Sequence, residues 1–156
     1  MYKHIMVPLD GSQLAECVLP HVVGVVTGCG VPRVTLVRVV TPLRIYGTEL
    51  DALVSPEIMA KVESETLNTA RVYLDKQAQS LARSGVQADV KVLFGNVLEA
   101  LTDYAEKNAV DLIVIATHGR GGVTRFVMGS VADRIMRSSR VPVLMIRPRE
   151  CPIPGV

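Results

Sequence analysis

The sequence predicts an α/β fold in which a five-stranded parallel sheet is doubly wound, with helices on both of its faces. Two observations carry this expectation. Five short runs, Lys3 to Leu9, Val34 to Val40, Ala88 to Phe94, Asp111 to Thr117 and Val141 to Arg147, are apolar and rich in β-branched residues. They are nearly continuous rather than alternating, which is the pattern of strands covered on both faces. Between successive runs lie segments of helical period, and strand-helix alternation throughout a chain specifies parallel strands joined by right-handed crossovers. A length of 156 residues suits one domain, expected over 1–148, with 149–156 as an extended tail containing two prolines.

The first strand stops at Asp10-Gly11-Ser12, where turn residues end the apolar run and Ser12 can cap the next helix. Leu14 to Val26 is helical in period, with Leu14, Val18, Val22 and Val25 on one side and Pro20 inside it, where a kink is expected; Gly28 to Gly30 ends it. The second strand is apolar except for Arg38. Thr41 to Val54 has no clear period and reads either as an excursion loop or as a lid at the same sheet edge as Asp10. Ser55-Pro56-Glu57 then starts a long helix. Its stripe through Met59, Val62, Ala70, Leu74, Ala78 and Leu81 is expected to cover the sheet, with Lys61, Glu63, Asp75 and Lys76 in water and Gly85 at its end. After the third strand, Asn96 caps a helix running to about Asn108, with Glu99 at the capping-box position. The fourth strand leads into a glycine-rich loop, His118 to Arg125, and then into Val131 to Ser138, a helix with Ser130 as its expected cap.

The core must be aliphatic, because aromatics are 4% of the residues and tryptophan is absent. That argues against base-stacking surfaces. A net charge of +2, with both signs scattered, makes nucleic acid and membrane surfaces poor partners. No apolar run reaches the roughly 20 residues that span a bilayer, and the amino terminus enters a strand without a leader, so a cytoplasmic protein is expected. Cys17, Cys29 and Cys151 lack metal-site or redox-motif spacing and suit reduced thiols.

Chemistry concentrates between Thr117 and Ser130. Backbone N–H groups at a helix start are unpaired and carry the positive end of the helix dipole, so they attract anions. Gly119, Gly121, Gly122 and Gly129 allow a phosphate to approach the backbone, while Arg120 and Arg125 could add charge-assisted hydrogen bonds. The same glycines would also serve an ordinary turn. Neither a Walker P-loop nor a dinucleotide fingerprint is present, since Thr124 stands where the latter needs its third glycine. Asp10, at the carboxyl end of a strand, could bond a ribose or adenine edge, hold a metal bridging phosphates, or simply cap its own turn.

Thr117-His118-Gly119, nine residues, then Gly129-Ser130 resembles the nucleotide-binding signature of the universal stress protein family. Ala116 stands where that signature has its first glycine. The resemblance implies a Rossmann-like, adenine nucleotide alpha-hydrolase-like sheet of strand order 3-2-1-4-5. It also implies that ATP or another adenine nucleotide, with Mg2+, is bound by Pro8, Leu9, Asp10, Val39, Ala116, Thr117, His118, Gly119, Arg120, Gly122, Arg125, Gly129, Ser130 and Val131. A homodimer through the last strand, Val141 to Arg147, is implied as well, and it would cover an apolar sheet edge.

Catalysis has less support. Hydrolysis needs a residue that positions water, and none is evident; His118 is expected to act through its backbone, and His4 and His21 have no ligand spacing. No serine sits in a hydrolase elbow, and Asp133 and Arg134 read as a solvated helix face. Two readings follow. One is a nucleotide-binding regulatory module in the stress response, a slow ATPase at most, that biases its dimer or the surface for an unidentified protein partner. The other is a dimer that binds no nucleotide and acts through protein contacts.

Overall fold

The computed structural model describes residues 1–42, 55–117 and 130–147. Strand β1 is His4–Pro8, β2 Arg33–Val40, β3 Asp89–Phe94, β4 Leu112–Ala116 and β5 Val143–Ile146. They form one parallel sheet in the order β3-β2-β1-β4-β5, as expected. Helices α1 (Gln13–Glu16), α2 (Leu19–Cys29) and α3 (Pro56–Arg83) precede β3; α4 (Val97–Lys107) and α5 (Ser130–Ser138) follow it. The chain steps one way across the sheet to β3 and then returns past β1, so right-handed crossovers place α1–α3 on one face and α4–α5 on the other.

Side chains of neighbouring strand positions point to opposite faces, and the core divides accordingly. Ile5, Val7, Val34, Leu36, Leu112 and Val114 pack against Val18, Val22, Leu74 and Leu81 of the first helices. Met6, Val37, Ile113 and Ile115 pack against Leu101, Ala105, Ala132 and Ile135 of the second pair. Every residue of β1 and β4 is buried, whereas β3 and β5, at the two edges, are not.

The amino edge of the sheet is pinned by polar contacts. The Asp111 carboxylate accepts hydrogen bonds from the backbone N–H of Lys3 at 2.7 Å and of His4 at 2.9 Å. The His4 ring is buried, with Nδ1 3.0 Å from the Asn108 carbonyl and Nε2 2.8 Å from the Thr35 hydroxyl. A carbonyl only accepts, so Nδ1 donates to it, while the Thr35 hydroxyl, able to donate or accept, partners Nε2.

Three expectations need correction. The first helical segment is two helices rather than one kinked helix: α1 closes at Cys17, and Pro20 falls in the first turn of α2, where its missing N–H costs nothing. Buried residues of α3 are Ala70, Leu74, Gln77 and Leu81, all in its second half, while Val62 is 37% exposed. The cause is length. With 28 residues α3 is about 42 Å long, whereas the eight residues of β2 span only about 26 Å. Ser130 lies within α5 rather than capping it. Cys29 is a free thiol. Cys151, the 43–54 excursion segment and the tail from Pro148 lie outside the described residues.

Candidate functional site

In a parallel sheet all carboxyl ends lie on one edge, so Pro8, Leu9 and Asp10, Val39, and Ala116 and Thr117 are brought to the same side of the molecule. Ser130 and Val131 begin α5 there as well. The switch in strand order falls between β1 and β4, the place where open α/β sheets bind ligands. The ladder between these strands joins Ile5 to Leu112 and Met6 to Ile113, and ends there. By contrast β1 pairs with β2 through Pro8, and β4 with β5 through Ala116. The Leu9 N–H donates to the Val37 carbonyl and the Thr117 N–H to the Ile146 carbonyl, so each outer pairing is prolonged past its strand while the inner one stops early.

Asp10 opens the turn beside this gap. Its Oδ1 accepts from the Ser12 N–H at 2.8 Å and from the Ser12 hydroxyl at 2.6 Å. The Ser12 Oγ in turn accepts from the Ala15 N–H at 3.1 Å and caps α1. The turn-capping role foreseen for Asp10 is therefore realised, and it fixes an exposed carboxylate at the sheet edge. Gly11 takes φ +86°, a left-handed conformation that side chains strain. His118, Gly119, Arg120, Gly122, Arg125 and Gly129 lie outside the described residues.

The sequence model of the Universal stress protein family matches residues 1–147. The chain belongs to the universal stress protein family. It is 29% identical over 147 residues to the universal stress protein MJ0531 of Methanocaldococcus jannaschii, covering 94% of this chain and 83% of that one. Among solved structures it is similar to protein MJ0577 of the same organism, at a TM-score of 0.81 and 25% identity over 96% of this chain and 99% of that one. It is also similar to a universal stress protein family protein of Arabidopsis thaliana with AMP bound, at a TM-score of 0.62 and 14% identity, over 93% and 91% of the two chains. That likeness is one of fold.

Against the family signature, this universal stress protein carries Ala116 in place of a glycine. Ala116 is buried at the end of β4, in register with Ile146, and is not among the positive-φ residues, so its backbone tolerates a Cβ. Val39 is half-buried on the α4 face, in register with Leu93. Among the described residues no cluster of three His, Cys, Asp or Glu side chains could hold a metal ion. No described helix is long and apolar enough to cross a membrane.

Sequence reasoning missed a group on the other face of this edge. Arg38 stacks over the Tyr73 ring, 5.1 Å from its centroid. The Tyr73 hydroxyl is buried and makes no hydrogen bond among the described residues. Burial, and then the negative charge of Glu16 and more weakly of Asp10, push its pKa well above the ordinary phenol range, against an opposing pull from Arg38. Glu16 thus acts on the hydroxyl through charge rather than through a formed bond. The signal available in the sequence was the single charged side chain in an otherwise apolar strand.

Proposed function

We propose that this chain is an adenine-nucleotide-binding regulatory module that takes ATP with Mg2+ at the carboxyl edge of β1 and β4. The observation that carries the reading is the convergence, at the switch point, of the Asp10–Ser12 turn with the two ends of the Ala116–Ser130 signature. A family relative of the same fold with AMP bound supports the choice of adenine nucleotide. Asp10 would meet the nucleoside, the backbone of the 117–130 segment would meet the phosphates, and Mg2+ would travel with the phosphates. The chemistry such a metal supplies is charge neutralisation. Hydrolysis would be slow or absent.

The module would act as a homodimer in the cytoplasm. Strand β5, apolar, half-buried and at the sheet edge, is the element a second copy would cover. Ala116 keeps a nucleotide-independent dimer as the second reading, because its methyl group stands where the family signature has open backbone.

The test is mass spectrometry of small molecules released by denaturing the purified protein, together with calorimetric titration of Mg-ATP into a stripped sample. Released or titratable adenine nucleotide at a ratio of about one per chain is expected. Absence of binding at millimolar ATP rejects the reading and leaves the nucleotide-independent dimer.

A further inference from the structure

Strand alternation puts Arg38 on the same face as Val34 and Leu36, toward α3, where a charge has no place in the core. Its guanidinium instead reaches the β1–α1 turn. A methyl group placed on Gly11 would lie 3.2 Å from Cζ, Nη1 and Nη2 of Arg38 alike. Three equal distances require that the group face the flat side of the guanidinium plane. Tyr73 of α3 also meets that guanidinium, with its centroid 5.1 Å from Cζ. None of the ion pairs among the described residues uses Arg38. The guanidinium is thus held by packing against an aromatic ring and a bare backbone, both of which suit its planar, weakly hydrated surface.

We propose that Arg38 is a positioning residue for the Asp10–Gly11–Ser12 turn, a slab held by Tyr73 on which Gly11 rests. The inference builds on the nucleotide reading of that turn, though its packing half stands alone. Without the slab the turn loses the surface that sets its height above the sheet, and the Asp10 carboxylate loses its fixed direction. Arg38 acts on both the nucleoside and the nucleotide, because its effect passes through the turn and not through the phosphates.

The experiment compares Arg38→Ala, Arg38→Lys, Tyr73→Phe and Tyr73→Leu by calorimetric titration of ATP and of adenosine, well below each melting temperature. Arg38→Ala should weaken both ligands by the same factor, about tenfold, with unchanged stoichiometry. Lysine keeps the charge without the plane, so Arg38→Lys should not rescue. Tyr73→Phe should bind as wild type and Tyr73→Leu should resemble Arg38→Ala. A loss confined to ATP would make Arg38 a phosphate contact and overturn the assignment, as would wild-type affinity in Arg38→Ala or full rescue by lysine.

A stability cycle tests the packing without any ligand. Gly11→Ala needs the guanidinium to give by a few tenths of an ångström against Tyr73, so it should cost more in the wild-type background than in Arg38→Ala, where only the backbone strain remains. Equal costs overturn the slab. If the wild-type protein binds neither ligand, the nucleotide reading fails, and this cycle still decides the contact between Arg38 and Gly11.

Discussion

Ala109 is the one described residue other than glycine with a positive φ, at 52°. It follows the last turn of α4, where Asn108 N–H donates to the Tyr104 carbonyl and Val110 N–H reaches back to the Ala105 carbonyl. That arrangement is a Schellman ending, which wants glycine at the left-handed position. Ala109→Gly should therefore stabilise the protein by about 0.5–1 kcal/mol, the relief of left-handed strain less the entropy that glycine adds to the unfolded chain. Urea unfolding would show the midpoint rising; a fall would mean that the alanine methyl makes a compensating contact. Tyr73 gives a prediction in pH. Its folded-state pKa is raised from the ordinary value of 10.0, so above that pH the unfolded chain sheds a proton that the folded chain keeps. Stability is then lost as pH rises beyond 10. Melting temperatures between pH 9 and 11.5 should fall more steeply for wild type than for Tyr73→Phe, and parallel curves would remove Tyr73 as a cause. Neither residue advertised itself in the sequence. The conformation of Ala109 depends on how α4 ends, and the surroundings of Tyr73 bring together residues 10, 16 and 38.

Helix α3 shows what periodicity tells and what it omits. Its stripe was legible from Met59 to Leu81, and Ala70, Leu74 and Leu81 are indeed buried. The same period runs on through Val62 and Met59, but a period carries no information about where the sheet beneath it stops. Leu74→Ala should cost about 2–5 kcal/mol, as core truncations do. Val62→Ala should fall within about 0.5 kcal/mol. Chemical denaturation of the two variants checks the contrast, and comparable losses would mean that the first half of α3 is packed in solution. Helix starts were read more accurately than the Pro20 kink, because caps are local. Ser12, Ser55 and Asn96 accept from backbone N–H groups three, three and two residues on. A proline at a helical spacing fits either a kink or a first turn, and only the chain around it decides which.

At the scale of the molecule, the apolar runs and crossover handedness made the parallel sheet legible, and with it the edge that carries Asp10, Val39, Ala116 and Ser130, whereas the strand order was legible only through the resemblance carried by the Thr117–Ser130 signature. The Arg38 support was not, because it depends on which strand lies under which helix. The short ladder between β1 and β4 belongs to the same tertiary level. Asp111 grips the first residues of β1 at one end, while pairing beyond Met6 and Ile113 ceases at the other, so the sheet is closed at its amino edge and unzipped at its carboxyl edge. Amide exchange should record this as a gradient along each strand. A ligand lodged in the gap would then act as a missing rung: its binding should slow exchange at Asp10 and Ala116, whose N–H groups strand alternation turns toward the gap, while leaving Ile5 and Leu112 unchanged, and uniform slowing would instead signal a global gain in stability. The two halves of the sheet are sewn together by the protein at one end and, on this view, by its ligand at the other.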